Sequence, residues 1–196
     1  MLGAPGGVMD VLMAALVVAA LAPIGDRIPW LAAILADRYQ KPWLVVVMAA
    51  LAMAAAGAIA ATFGAWLAPT LTPEAKQLFL AIALLLLGTG VVGTMKPPDR
   101  LAGWRIGTTA TSFLGLFILA FGDGIQFVVL ALAARSPLPS LAVVGATLGS
   151  LAPIATAVIL GEKQWLGLPL VLMRRVIAML FIVAGAAIAM SALGLL

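Results

Sequence analysis

Long apolar runs separated by short charged connections constrain this chain more than any other sequence feature. The runs are roughly 20 to 28 residues long, enough to cross about 30 Å of hydrocarbon as α-helix, and they show no period of two. Of the 196 residues, 65% are hydrophobic and only 9% are charged. That balance excludes a water-soluble fold. We therefore expect an all-α integral membrane protein.

Charge clusters, prolines and glycines divide the sequence into six predicted transmembrane helices. We place these spans at about 8–35, 43–68, 76–95, 106–134, 140–160 and 170–195. The first charged side chain is the acidic Asp10, so the basic region of a cleaved signal peptide is missing. We expect the first apolar run to be a retained span.

The Lys and Arg residues predict the orientation of the spans. Connections one, three and five with their flanks carry eight of them, against two on the opposite side. Cytoplasmic connections are enriched in Lys and Arg, so we expect both termini outside the cytoplasm of a bacterial inner (plasma) membrane. Glu162 and Lys163 are expected to form a solvated turn. Arg174 and Arg175 are expected to hold the start of span six at the cytoplasmic surface.

The sequence also contains an internal repeat with a spacing of 97 residues. This shift superimposes Gly25 on Gly122, Asp26 on Asp123, Ile28 on Ile125, Leu35 on Leu132, Ala36 on Ala133, Arg38 on Arg135, Gly64 on Gly161 and Gly88 on Gly185. Because the unit holds an odd number of spans, its second copy enters the membrane in the opposite orientation. We predict two inverted three-helix repeats, 1–98 and 99–196, an arrangement typical of secondary transporters.

Asp26, Arg27 and Asp123 are the ionisable residues that lie well inside predicted spans. Each costs about 2.5 to 3.5 kcal/mol at the centre of a membrane helix, so a functional role is the first hypothesis. Helix-breaking residues flank them: Pro23 and Pro29 in span one, Gly122 and Gly124 in span four. We therefore expect broken helices with released backbone carbonyls at these positions.

If the repeats bring Asp26 and Asp123 together, they form a pocket of oxygen ligands. Gln126 lies one turn beyond Asp123 and can add an amide oxygen, and the breaks at Gly25 and Gly122 can add carbonyls. Calcium, magnesium and manganese accept such ligands. We expect these residues to bind a metal ion as substrate. The alternative is that Arg27 pairs with Asp123 and holds the repeats together.

Other functions are poorly supported by the composition. The chain has no Cys and no His, which argues against zinc, copper and haem sites and leaves no base for a Ser or Thr nucleophile. We expect no enzyme activity, no resident cofactor and no nucleic-acid partner. The expected partners are the lipid bilayer, an inorganic cation and protons, and a homo-oligomer is left open.

Several stretches resemble the Gdt-type family, also called the transmembrane protein 165 family. They cover residues 22–28, 35–39 and 41–43, then 120–126 and 131–135, and finally 174–185. The resemblance implies six spans in two inverted repeats that exchange calcium or manganese for protons. It also implies a signature of Glu-x-Gly-Asp-Lys/Arg-Thr/Ser in spans one and four.

The chain departs from that signature at its acidic and basic positions. The family Glu is Pro23 and Ala120, the Thr/Ser is Ile28 and Ile125, and the second Lys/Arg is Gly124. Two full signatures carry a net charge of −2, whereas two Asp and one Arg give −1 here, which compensates half of a divalent ion. An exporter of another small solute and a degenerate member without transport activity therefore stay as alternatives.

Overall fold

The chain folds as a bundle of α-helices joined by short connections. The structure is a computed structural model that describes residues 5–92 and 96–195, with side chains from residue 9 onward. The helices are α1 (Pro5–Leu21), α2 (Arg27–Tyr39), α3 (Pro42–Leu67), α4 (Pro73–Val92), α5 (Thr108–Phe121), α6 (Ile125–Arg135), α7 (Ser140–Leu166) and α8 (Leu170–Ala192), with a 3-10 turn at Ala68–Thr70. The predicted end of span three at residue 95 lies outside the described residues.

Most of these helices have the length and apolarity of membrane spans. Within the described residues α3, α4, α7 and α8 each qualify alone, and α5 with α6 qualifies only as a pair bent by 70°, which is the geometry of a broken span or of a re-entrant loop. The apolar part of α1 that can be assessed, Met9–Leu21, is shorter. The chain is therefore a multi-pass integral membrane protein with an all-helical fold.

Two helix breaks interrupt the chain where the prolines and glycines predicted them. Residues 22–26 separate α1 from α2, and residues 122–124 separate α5 from α6. The N–H of Asp26 donates to the Pro23 carbonyl (2.9 Å), and the N–H of Asp123 donates to the Ala120 carbonyl (3.2 Å). These two bonds are equivalent under the 97-residue shift. Pro29 is the third residue of α2, where its missing N–H leaves no helical bond unmade.

Glycines allow the long helices to approach closely. Gly145 and Gly149 of α7 lie against the backbone carbonyls of Leu12 and Leu16 in α1, so that a Cβ at either glycine would overlap the neighbouring helix. Helix α1 packs mainly on α7, and α3 contacts α5, α6 and α7. Small residues serve this purpose in membranes because lipid supplies no hydrophobic drive for helix association.

The packing of α4 on α8 is reciprocal. Each helix contributes one glycine to the contact. Gly88 of α4 lies against Ala178 and Ile182 of α8, and Gly185 of α8 lies against Ala81 and Leu85 of α4. The 97-residue shift converts the first set into the second. The helices therefore meet through equivalent surfaces, as the partners of a two-fold axis do.

The expected solvated turn at Glu162 is wrong, because this residue joins three parts of the chain. Its carboxylate accepts from the Trp30 indole N–H (3.1 Å) and pairs with Arg100, and its backbone N–H donates to the Asp37 carboxylate (2.8 Å). Gly161 has φ +75° and interrupts α7 at this point. The part of α7 that follows this kink is thereby held against α2 and against the connection between α4 and α5.

We expect Gly88→Ala to destabilise the protein by roughly 1 to 3 kcal/mol, because overpacking strains a close contact. Its Cβ would lie 2.8 Å from Ile182 Cγ1 and 3.0 Å from the Ala178 carbonyl oxygen. Gly90→Ala is the matched control, since nothing lies within 4 Å of the added Cβ. Thermal unfolding in detergent measures both variants. Equal melting temperatures for the two would contradict the close contact.

Candidate functional site

A polar cavity of about 200 Å³ lies between the two helix breaks. Its charged lining residues are Asp26, Arg27, Asp123 and Arg174, and the apolar remainder comes mainly from the C-terminal half of α4. Gly122 and Gly124 bring the backbone of the second break to the same cavity. Asp26 and Asp123 thus line the same cavity, as expected if the two aspartates form one shared site.

Asp26 lies directly before α2, in the position that caps a helix N-terminus. Its backbone is extended (φ −95°, ψ 175°), and its side chain makes no capping hydrogen bond. The carboxylate is 29% exposed and lies 3.8 Å from the Arg174 guanidinium. The carboxylate therefore does not cap its own helix and instead forms an ion pair with a residue of α8.

Asp123 has a different environment in the second break. Its carboxylate accepts a long hydrogen bond of 3.5 Å from the N–H of Ile125, at the start of α6. The carboxylate therefore lies beside the N-terminus of α6, where the unpaired backbone N–H groups of a helix favour a negatively charged partner. The two aspartates are equivalent under the 97-residue shift, but Asp26 lies beside an arginine of α8 and Asp123 lies beside the start of α6.

Arg174 is the site residue that the sequence analysis missed. It is only 7% exposed, and its guanidinium donates to the Gly25 carbonyl at 2.6 Å. Arg174 therefore packs inside the bundle, whereas its neighbour Arg175 is exposed; that both lie on the cytoplasmic side stays a prediction. The helical period could have found it, because the buried residues of α8 form one stripe: Leu170, Arg174, Ile177, Ala178, Phe181 and Gly185.

The other predicted site residues, Arg27, Gly25 and Gln126, differ in their position relative to the cavity. Arg27 lines the cavity and is exposed, and the ion pair formed there joins Arg174, not Arg27, to an aspartate. Gly25 lies under the Arg174 side chain with φ +73°. Gln126 is not among the cavity-lining residues, and its amide oxygen is buried with no hydrogen-bond partner among the described residues.

The charges around the cavity cancel. Two aspartates and two arginines line it, and residues 5–92 and 96–195 contain no group of three or more acidic side chains placed to hold a metal ion. A divalent cation would find two carboxylates and the carbonyls of the breaks, which suit a hard ion. It would also meet two guanidinium groups, so binding is favoured only if one of them moves away.

Comparisons with known proteins identify the family. The family described as "Divalent cation/proton antiporter GDT1" matches residues 11–97 and 108–195, two stretches that correspond to the predicted repeats. The protein called "Putative manganese exporter" of Vibrio cholerae serotype O1 is 33% identical over 187 residues, which cover 93% of this chain and 92% of that protein. No solved structure matches. The chain belongs to the divalent cation/proton antiporter GDT1 family.

We expect Gly25→Ala to destabilise the protein by about 1 to 3 kcal/mol, because an L-residue is strained at this backbone conformation. Its φ is +73°, and the added Cβ would lie 2.9 Å from Arg174 Cδ. Gly122→Ala, the repeat-equivalent change, has φ −90° and no atom closer than 3.8 Å. Thermal unfolding of the two purified variants tests the difference. A Gly25→Ala variant as stable as Gly122→Ala would show that neither φ nor Arg174 constrains this position.

Proposed function

We propose that this protein exports divalent cations, with manganese or calcium as the substrate, in exchange for protons. The observation that carries the proposal is that Asp26 and Asp123 line one cavity at two equivalent helix breaks. Membership in an antiporter family supports it, as does the relative that is called a manganese exporter. The proposed ion-binding set is Asp26 and Asp123, with carbonyls at Gly25 and Gly122 and the amide oxygen of Gln126 nearby.

The proposed architecture is six spans in two inverted repeats, 1–98 and 99–196. In this arrangement α1 with α2 and α5 with α6 are the broken first spans of the two halves. Supporting it are the equivalent hydrogen bonds within the breaks and the reciprocal glycine contacts between α4 and α8. Inverted repeats commonly alternate between two states by rocking around a central site.

We further propose that the cavity of this structure opens toward the cytoplasm. It is lined by the last two turns of α4 and by Arg174 in the second turn of α8, while the repeat-equivalent positions at the opposite ends of these helices do not line it. Both lining ends adjoin connections that carry Lys and Arg, which are typical of the cytoplasmic side. An exporter in this state is ready to load its substrate from the cytoplasm.

Metal binding and proton binding would compete for the same carboxylates. A metal ion needs the ionised oxygens, so loading is favoured where protons are scarce and release is favoured where they are abundant. Exchange then requires no resident cofactor, and the family is one of transporters and not a class of enzymes. We expect transport to slow as the pH on the loading side falls.

A member of the family that does not transport is the second candidate. The specific observation in its favour is the contact between Arg174 and Asp26, which neutralises one of the two carboxylates within the protein. In that case the four charges would stabilise the two breaks and would bind no substrate. Direct measurement of flux separates the two candidates.

We expect purified protein in proteoliposomes to carry manganese and to move protons in the opposite direction. Asp26→Asn or Asp123→Asn should lower the flux at least about tenfold, because each removes a charged ligand. Asp10→Asn is the matched control, since Asp10 is an exposed residue of α1 in the same predicted span as Asp26. A manganese-quenched dye and a pH dye inside the vesicles report the two fluxes.

Two results would contradict the proposed function. The first is manganese and calcium flux no greater than in protein-free vesicles, which would favour the non-transporting candidate. The second is a flux through the Asp26→Asn and Asp123→Asn variants equal to that of the Asp10→Asn control, which would place the ion pathway elsewhere.

The orientation can be tested separately by cysteine labelling in intact cells, because the chain has no native Cys. A cysteine at the exposed position Asp99 should resist an impermeant thiol reagent, and one at the exposed position Thr70 should react. The Lys and Arg distribution places these two sites on opposite sides of the membrane. The reverse labelling pattern would reverse the topology.

A further inference from the structure

We infer that Arg174 is a tethered cation that occupies the substrate's place at Asp26, so that a divalent ion binds there only when this guanidinium withdraws. The inference rests on the proposed export of divalent cations and adds a residue that competes with the substrate from within the protein. Arg174 lies on α8, whereas the Gly25 carbonyl and the Asp26 carboxylate that it contacts belong to the first helix break.

The contacts of Arg174 are those expected of a bound cation. Its guanidinium accepts nothing and donates to the Gly25 carbonyl at 2.6 Å, while the Asp26 carboxylate lies 3.8 Å away. A backbone carbonyl released by a helix break and an adjacent carboxylate are also hard oxygen ligands of the kind a divalent ion takes. Two cations cannot use this pair of oxygens at the same time.

Burial strengthens the competition. The Arg174 side chain is 8% exposed, whereas Asp26 is 29% exposed. Charges that are shielded from water interact more strongly than charges at the surface. A guanidinium at this position therefore opposes a divalent ion far more than the exposed Arg175 beside it does.

Gly25 provides the space that this arrangement needs. Its φ is +73°, and the stem of Arg174 passes so close that an added Cβ would lie 2.9 Å from Arg174 Cδ and 3.0 Å from Arg174 Cγ. The path of the arginine is therefore built into the backbone of the break. A lysine could supply the charge but has no planar fork of donors.

The two halves of the cavity differ in this feature. The 97-residue shift that pairs Asp26 with Asp123 pairs Arg174 with Gln77, a neutral residue of α4. Asp123 therefore has no arginine at the equivalent position. Arg174 forms its ion pair with Asp26, so the first break is the place where binding of the substrate and withdrawal of the arginine are coupled.

Manganese binding to the full-length protein in detergent tests the inference. The electron paramagnetic resonance signal of unbound Mn²⁺ gives the dissociation constant during a titration. We expect Arg174→Gln to lower the Kd at least about tenfold, because it removes a buried positive charge next to the site. Arg175→Gln is the matched control and should leave the Kd within about twofold, because its charge is exposed.

A charge-rescue measurement keeps the inference testable if Arg174→Gln is unstable. Since the chain has no other Cys, Arg174→Cys can be modified with a cationic or a neutral methanethiosulfonate reagent of similar size. The cationic adduct should weaken manganese binding toward the native Kd, and the neutral adduct should not. The same polypeptide thereby reports the effect of charge apart from the effect of folding.

The outcomes separate this inference from the proposed function. Native protein that binds manganese, with equal Kd values for Arg174→Gln and Arg175→Gln or for the two adducts, overturns the tethered cation alone. Absence of manganese binding in the native protein and in every folded Arg174 variant overturns the proposed function and this inference together. Tighter binding that depends on the charge at position 174 supports both.

Discussion

The contact between the Arg174 guanidinium and the Gly25 carbonyl is the interaction on which the candidate site depends. A helix that breaks inside a membrane leaves backbone groups without partners, and such groups are tolerated only where protein or a polar cavity satisfies them. Here a side chain from α8 satisfies the first break at 2.6 Å. This bond ties α8 to the break between α1 and α2, at the point where Asp26 lines the cavity.

The charge balance explains how two partly buried aspartates are tolerated without the glutamates of the family signature. Arg174 raises the number of arginines at the cavity to two, equal to the number of aspartates. The formal charges of the lining residues therefore sum to zero, whereas the two Asp and one Arg identified from the sequence alone gave a net charge of −1. Neutrality lowers the cost of keeping the cavity within the bilayer. It also means that a substrate must displace charge when it binds.

Close glycine contacts connect this site to the rest of the bundle. Gly88 and Gly185 bring α4 and α8 together through equivalent surfaces. Gly145 and Gly149 allow α7 to lie close to α1. Because α4 and α8 also supply the lining of the cavity, any shift of one helix on the other would change the access to both aspartates. The small residues therefore set the spacing at which Arg174 can reach the first break.

The sequence by itself determined the helical membrane class and the positions of the two breaks. It also identified Asp26 and Asp123 as the candidate ion ligands. These features follow from local chemistry: long apolar runs, prolines and glycines that cannot continue a helix, and charges that are costly in lipid. The repeat register also placed the two aspartates at equivalent positions. Only the tertiary structure decided the partners of Glu162 and the position of Arg174. Both depend on which face of a helix packs against a neighbour that is distant in sequence. Arg174 and Arg175 are consecutive in α8 and therefore lie on different faces, so that the first is buried and the second exposed.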